Sequence, residues 1–241
     1  MEYGLQLYSI RDITKDDLDG ALRQVSEMGY KFVEFAGFFG HSAQEVKAML
    51  DKYGLKVSGT HTGWQEVAEH FEETVAYHKA IGNKNIIIPG CDLSTQEKLD
   101  EFVKMANEFQ PKLAAEGIRF GYHNHAHEFA KDGDDVLMDV LMENTEKEIF
   151  AEFDVFWVAY AGYDPVEYIR RYAGRQPLMH LKELAADRRA NVELGTGVLD
   201  FAAIIRAGQQ AGTEHFIIEQ EEYTLPPLES CKASLDAVLR L

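Results

Sequence analysis

The sequence has little of several things whose presence would point to other classes of protein. Its 241 residues include only two cysteines, Cys91 and Cys231, far apart and outside any CxxC pattern. They supply neither a disulfide framework nor a zinc–thiolate site, and both are expected as free thiols of a reducing compartment. No apolar run approaches the roughly 20 residues that span a bilayer, and runs such as Ile86-Ile87-Ile88 are strand-sized. Met1-Glu2-Tyr3-Gly4 lacks the basic and apolar regions of a signal peptide, so a cytoplasmic location is expected. Bases are outnumbered: 24 Lys and Arg face 41 Asp and Glu, a formal charge of −17. A field of that sign repels phosphate backbones and anionic lipid, which argues against nucleic-acid or membrane partners. No GxGxxG follows the first strand-like run, and no Pro/Gly-rich linker divides the chain.

What remains is a regular alternation. Short β-like runs begin near Gly4, Lys31, Leu55, Lys84, Ile118, Glu148, Leu178 and His215. Helical patterns follow each, over 16–28, 42–53, 66–81, 95–116, 135–143, 166–172, 201–211 and 229–241. Ser42 with Glu45 makes a capping box, and Gly29, Gly54 and Gly117 stop their helices. Eight such pairs, recurring about every 30 residues, favour a closed (β/α)8 barrel over an open sheet. Residues 1–241 are expected to form this one domain. At 46% hydrophobic and 27% charged, the composition suits a substantial core.

A barrel of this kind keeps its chemistry at the carboxyl ends of the strands. Polar residues concentrate there: His61 ends the third strand, and Asp154, preceded by Glu152, ends the sixth. His180 and Lys182 end the seventh, and Glu219 and Glu221 the eighth. After the fifth strand, His123, His125, His127 and Glu128 fall within six residues. Residues two apart on a strand share a face, so each pair can enter the barrel mouth together. Asp154, His180 and a glutamate of the last strand thereby converge with the loop after the fifth. Such a nitrogen–oxygen set suits Mn²⁺, Mg²⁺, Co²⁺ or Zn²⁺. Trp64 and Trp157 are read as core aromatics or as a wall against a sugar ring. Gly195-Thr196-Gly197 is read as a turn, with a phosphate site at its amides as the alternative.

These segments carry a resemblance. His123-Asn124-His125-Ala126-His127-Glu128-Phe129 resembles the HNHxxEF signature of the sugar phosphate isomerase/epimerase family, which has the xylose isomerase-like barrel. Gly4 to Arg11, Glu152-Phe153-Asp154, His180-Leu181-Lys182-Glu183, Leu194 to Gly197 and Ile218 to Glu221 fall where its other motifs do. The resemblance implies one divalent metal held by Glu128, Asp154, His180 and Glu219. Glu221 is the alternative to Glu219, and His123 or His125 the alternative to Glu128. It implies substrate contacts from His61 and Lys182, with His123, His125 and Glu221 as further candidates.

The activity so implied is isomerisation or epimerisation of a sugar-like hydroxy-ketone through an enediolate, with Glu128 and Glu219 exchanging the proton. The alternative is a lyase or dehydratase acting on a keto-sugar, keto-glycoside or inosose with the same machinery. An apurinic-site endonuclease would need further histidines on the early strands and a basic face. A non-catalytic sugar-binding barrel would have no need of all four ligands. The expected partner is a small carbohydrate, and the barrel exterior leaves room for a homodimer.

Overall fold

Two residues of strand period decide both what the barrel packs and what it exposes in its mouth. The computed structural model describes residues 1–241, the side chain of Asp132 excepted. Eight parallel strands close a barrel. They are β1 (Tyr3–Gln6), β2 (Phe32–Phe35), β3 (Lys56–His61), β4 (Asn85–Ile88), β5 (Arg119–His123), β6 (Phe150–Asp154), β7 (Leu178–Leu181) and β8 (His215–Ile218). Pairing of β1 with both β2 and β8 shuts the ring. The main helices between and after the strands are α1 (Leu18–Met28), α2 (Ala43–Tyr53), α3 (Phe71–Ala80) and α4 (Gln96–Ala115). They continue with α5 (Leu137–Asn144), α6 (Pro165–Arg171), α7 (Phe201–Ala211) and α8 (Pro227–Val238). The (β/α)8 architecture expected from the alternation is the one observed.

Local signals place the helices. Asp17 caps α1 through the Gly20 amide, Ser42 and Glu45 form the capping box of α2, and Gly54 ends α2 in the left-handed region at φ 66°. The helix expected over 66–81 is instead two, Trp64–Glu69 and α3, broken at His70, whose φ of −128° is not helical. Beyond the break Phe71 packs on Phe109, with ring centroids 5.8 Å apart. Two small antiparallel hairpins decorate the mouth. One pairs Lys131–Asp132 with Asp135–Val136, and the other pairs Glu183–Leu184 with Asn191–Val192. No helix among the described residues is long and apolar enough to cross a membrane.

Outward-facing strand residues make the main core. Leu5, Val33, Met179, Leu181 and Ile218 pack with Leu22, Val25, Ile204 and Leu235 of the helices on one side. On the other, Ile86, Ile88, Phe120 and Phe153 pack with Phe102, Leu113, Leu141 and Tyr168. Each buried aliphatic or aromatic side chain of this kind contributes about 1.5–3 kcal/mol of transfer free energy.

Inside the barrel the bulk alternates with nothing at all. Ile87, Phe150, Leu178 and Ile217 form an apolar cluster, and glycines stand where a side chain would collide with it. A Cβ on Gly121 would lie 2.3 Å from the Phe150 ring, and one on Gly59 would lie 2.6 Å from Ile87. This layer is a floor. Two residues further along the same strands come Glu34, His61, His123, Glu152, His180 and Glu219, so the floor's register dictates the polar layer above it. Gly121→Ala is expected to lower stability by about 1–3 kcal/mol through overpacking, read as a lower urea midpoint. Phe150→Leu in the same chain should recover part of the loss; an unchanged midpoint in Gly121→Ala would show that the floor is not tightly packed.

Candidate metal centre and catalytic cavity

The polar layer is charged, buried and crowded. Glu34, Glu152, Asp154, His180 and Lys182 are fully buried, while His123 and Glu219 are 2% and 3% exposed. Ionisable groups persist at such depth only when paired, hydrogen-bonded or bound to metal.

Asp154 closes β6 and caps the short helix Val155–Tyr160. One carboxylate oxygen, Oδ1, accepts from the Phe156 amide at 2.8 Å and from the Trp157 amide at 3.4 Å. The other, Oδ2, has no hydrogen-bond partner and lies 3.8 Å from His123 Nε2 and 3.6 Å from Lys182 Nζ. His123 is more exposed in its needs: neither ring nitrogen has a hydrogen bond, although the ring is buried against His61 and His180. His180 places Nδ1 3.2 Å from Glu219 Oε2 and Nε2 2.7 Å from Glu34 Oε1. Ligand atoms of His123, Asp154, His180 and Glu219 all lie within 4.8 Å of one another.

This arrangement tests whether the residues fit a divalent ion. Two imidazole nitrogens and two carboxylate oxygens converge, and the orphaned atoms of His123 and Asp154 are among them. Buried polar atoms without partners are rare and require a reason, and a cation at their focus would provide one. The donor set is of the mixed type suited to Mn²⁺, Mg²⁺, Co²⁺ or Zn²⁺.

Glu128 is not part of it. The carboxylate sits in the turn His127–Phe129 beyond β5, with Oε1 accepting from the Tyr122 hydroxyl at 2.6 Å and Oε2 from the His125 amide at 2.8 Å. Tyr122 faces the helices, opposite to His123, so Glu128 is drawn to the outside of β5. It groups with His125 and His127, away from Asp154, His180 and Glu219. Glu128 thus does not stand with Asp154, His180 and Glu219 as expected: its two oxygens hold the turn, and His123 is the residue that groups with those three.

The other expected residues gather around a cavity of about 320 Å³ lined by Tyr8, Ala36, His61, Pro89, His123, His125, Glu219 and Glu221. Lys182 stands behind its wall, 2.9 Å from Glu221 Oε2 and 3.4 Å from Glu219 Oε2. Its ammonium also lies 4.9 Å from the Trp157 ring centroid, so that tryptophan serves the lysine. Trp64 lines a different cleft, with Cys91 and Phe102. One buried group escaped the sequence-level selection: Glu34 of β2, which accepts from the Gln6 side chain at 2.7 Å. Glu152, read as facing the barrel mouth with Asp154, lies 2.9 Å from His61 Nε2. The signal for Glu34 was present as a lone acid inside the apolar run Phe32-Val33-Glu34-Phe35.

Electrostatics sort these groups. Burial alone would drive the Glu219 pKa up, but Lys182 and His180 hold it well below the usual carboxylate range. Burial opposes protonation of His61, yet Glu34 and Glu152 raise it to about 9. Lys182, likewise against burial, is raised by Glu219, Asp154 and Glu221. Burial lowers His125 to about 4. At neutral pH the cavity thus presents an ionised Glu219, a protonated His61 and a neutral His125.

The glycine turn 195–197 holds no free amides for a phosphate. Glu183 reaches into it, accepting from the Gly195 amide at 3.1 Å and from the Leu199 and Leu184 amides at 3.0 Å. Asp154→Asn, His180→Ala and His123→Ala are each expected to abolish stoichiometric binding of Mn²⁺ or Zn²⁺ in titration calorimetry, while Glu128→Gln retains it. Loss in Glu128→Gln together with retention in His123→Ala would reverse the assignment.

The family profile described as xylose isomerase-like TIM barrel matches residues 22–241. Inosose dehydratase of Geobacillus kaustophilus (strain HTA426) is 25% identical over 217 residues, covering 75% of this chain and 68% of that protein. A solved sugar phosphate isomerase/epimerase from Parabacteroides distasonis superposes with a TM-score of 0.87 at 25% identity, covering 100% of this chain and 98% of the other. A probable 3-DHS dehydratase from Bacillus anthracis gives 0.77 at 14% identity, over 99% of both chains, which is a likeness of fold. The family match covers all but the first strand and the chain up to the start of α1, and the barrel closes as that fold requires, so the chain belongs to the xylose isomerase-like TIM barrel family.

Proposed function

We propose that residues 1–241, as one barrel domain, form a divalent-metal-dependent enzyme that removes the proton next to the carbonyl of a small keto-sugar or keto-cyclitol and eliminates a β-hydroxyl or β-alkoxyl group. What supports the reading is that Glu219, held well below the usual carboxylate range, and His61, raised to about 9, line one cavity. His123, Asp154, His180 and Glu219 would hold the metal. A bound divalent ion supplies Lewis acidity, which makes a carbon acid beside a carbonyl acidic enough for a carboxylate to deprotonate.

The chain's own groups do the rest. A Glu219 carboxylate oxygen takes the α-proton, and the electron pair of the C–H bond moves toward the carbonyl oxygen. Lys182, behind the wall and held by three carboxylates, keeps Glu219 ionised and ready to take that proton. The pair then returns to form the carbon–carbon double bond as the β C–O bond breaks, and His61, its Nε2 held by Glu34 and Glu152, gives its Nδ1 proton to the departing oxygen. Water or an alcohol leaves, and an unsaturated ketone remains. Proton transfer from Glu219–H to neutral His61 through solvent restores the starting state.

Epimerisation is the second reading, because a second proton-carrying group, His61, lines the same cavity as Glu219. It is less well supported by the charges. An epimerase exchanges the roles of its two groups when it runs backwards, which favours a pair of matched acidity. Here a carboxylate held low faces an imidazolium near pKa 9, and such an asymmetric pair suits one-way elimination. The relatives named inosose dehydratase support the same preference. The cavity, about 320 Å³, lies at the small end of ligand sites and suits one ring. With Glu183 filling the glycine turn, the substrate proposed is unphosphorylated.

Inososes and 3-keto-glycosides incubated with Mn²⁺ in D₂O should exchange one carbon-bound proton and develop the absorbance of an unsaturated ketone. His61→Gln should keep the exchange but slow product formation by about 10²–10⁴-fold, the usual worth of a general acid. Exchange accompanied by an inverted sugar and no unsaturated product would decide for the epimerase; no exchange with any ketose would reject both.

A further inference from the structure

The structure assigns Glu34 the role of positioning residue for His180, fixing which ring nitrogen faces the metal. This inference rests on the metal site proposed above and adds a residue that touches neither metal nor substrate. Glu34 is fully buried at the inner face of β2, two residues above Phe32. His180 Nε2 donates to its Oε1 at 2.7 Å, while Nδ1 points the other way, to the side of Glu219. An imidazole has only two nitrogens. With Nε2–H committed to a carboxylate, Nδ1 is the nitrogen left to ligate once its own proton is displaced, and it faces the converging ligand atoms. A carboxylate behind a metal-binding histidine both sets the tautomer and raises the basicity of the ligating nitrogen.

The surroundings are arranged to hold this carboxylate in place. Gln6, the polar residue of β1 at the same level, donates to Glu34 Oε1 at 2.7 Å. His61 Nε2 lies 3.1 Å from the same oxygen. Space for the second oxygen comes from Gly59: a Cβ there would stand 2.9 Å from Glu34 Oε2. Gly59 reaches that position because the β2–β3 register shifts between Val33 and Glu34, so that Glu34 pairs with Gly59 and Ser58 is passed over. Irregular pairing of this kind re-aims side chains beside active sites. The nearest competing acceptor, Glu152 Oε2, lies farther from His180 Nε2, at 3.4 Å.

The test uses the whole chain labelled with ¹⁵N-histidine and Zn²⁺ as probe, which is diamagnetic. In the zinc-loaded wild-type protein, long-range ¹H–¹⁵N correlation spectra should show His180 ligated through Nδ1 with the proton on Nε2. Glu34→Gln, close in shape but uncharged, should weaken Zn²⁺ binding about 10- to 100-fold and shift the Nε2–H resonance. Glu152→Gln should leave that resonance in place. Ligation through Nε2 in the wild type, or unaltered affinity and resonance in Glu34→Gln, would overturn the assignment, and the wild-type spectrum decides even if the variant fails to fold. If the wild type binds no Zn²⁺, the metal centre itself falls. Glu34 is then judged in the same metal-free sample by whether the Nε2–H is the protected proton and is lost in Glu34→Gln.

Discussion

Everything in this molecule depends on a set of buried charges that satisfy one another on top of an apolar floor. His180 lies between Glu34 and Glu219, His61 between Glu34 and Glu152, and Lys182 among Glu219, Glu221 and Asp154. No cation there has a single partner, so removing any one carboxylate leaves others in place but misaligned. Breaking a buried pair costs about 3–5 kcal/mol, whereas replacing the whole set by apolar residues is often neutral or stabilising. Stability therefore does not explain why a barrel interior contains such a network. The chemistry at its open end does.

Position divides the labour. On the β1–β2 side of the polar layer Gln6 and Glu34 touch only protein. Beside them His123, His180, Glu219 and the Oδ2 side of Asp154 converge. At the rim Glu221, His125 and Tyr8 border the cavity. Different strands supply the orienting, ligating and contacting residues, and the floor of Ile87, Phe150, Leu178 and Ile217 lies beneath them. Precision in the site is inherited from packing beneath it. Rigid strands place side chains more exactly than loops do.

This division also explains what the sequence revealed and what it concealed. The barrel was legible because eight strand–helix alternations with caps such as Ser42–Glu45 leave few other topologies. Asp154, His180 and Glu219 were legible because they stand at strand ends, where polar residues interrupt apolar ones. Glu34 was hidden by the opposite circumstance: β2 reads Phe-Val-Glu-Phe, and its acid is placed by a register shift that no periodicity announces. Glu128 misled because parity does not survive a turn. His123 is still on β5 and faces inward; past Asn124 the chain turns, and Glu128 binds the hydroxyl of outward-facing Tyr122. The break at His70 was equally invisible, since the helical pattern runs through it.

The Glu183 carboxylate completes the argument about substrate. A turn of the form Gly195-Thr196-Gly197 offers amides to an anion, and here the anion is already covalently part of the chain. Gly197 has no side chain because a Cβ would lie 2.2 Å from the Leu184 carbonyl oxygen and 2.5 Å from Glu183 Oε1. The loop after β7 is thereby folded onto itself instead of onto a ligand. Asn191 of the same loop ties it to β8 by accepting from the Glu221 amide at 2.8 Å. What faces the cavity from that side is Glu221, and Lys182 behind it is already committed to three carboxylates. In a chain of formal charge −17, the one side chain of positive charge that lines the cavity is His61, and it is already held between Glu34 and Glu152. A neutral ring bearing a ketone and hydroxyls needs no such partner, and the imidazoles and carboxylates of the wall can hydrogen-bond it from both sides.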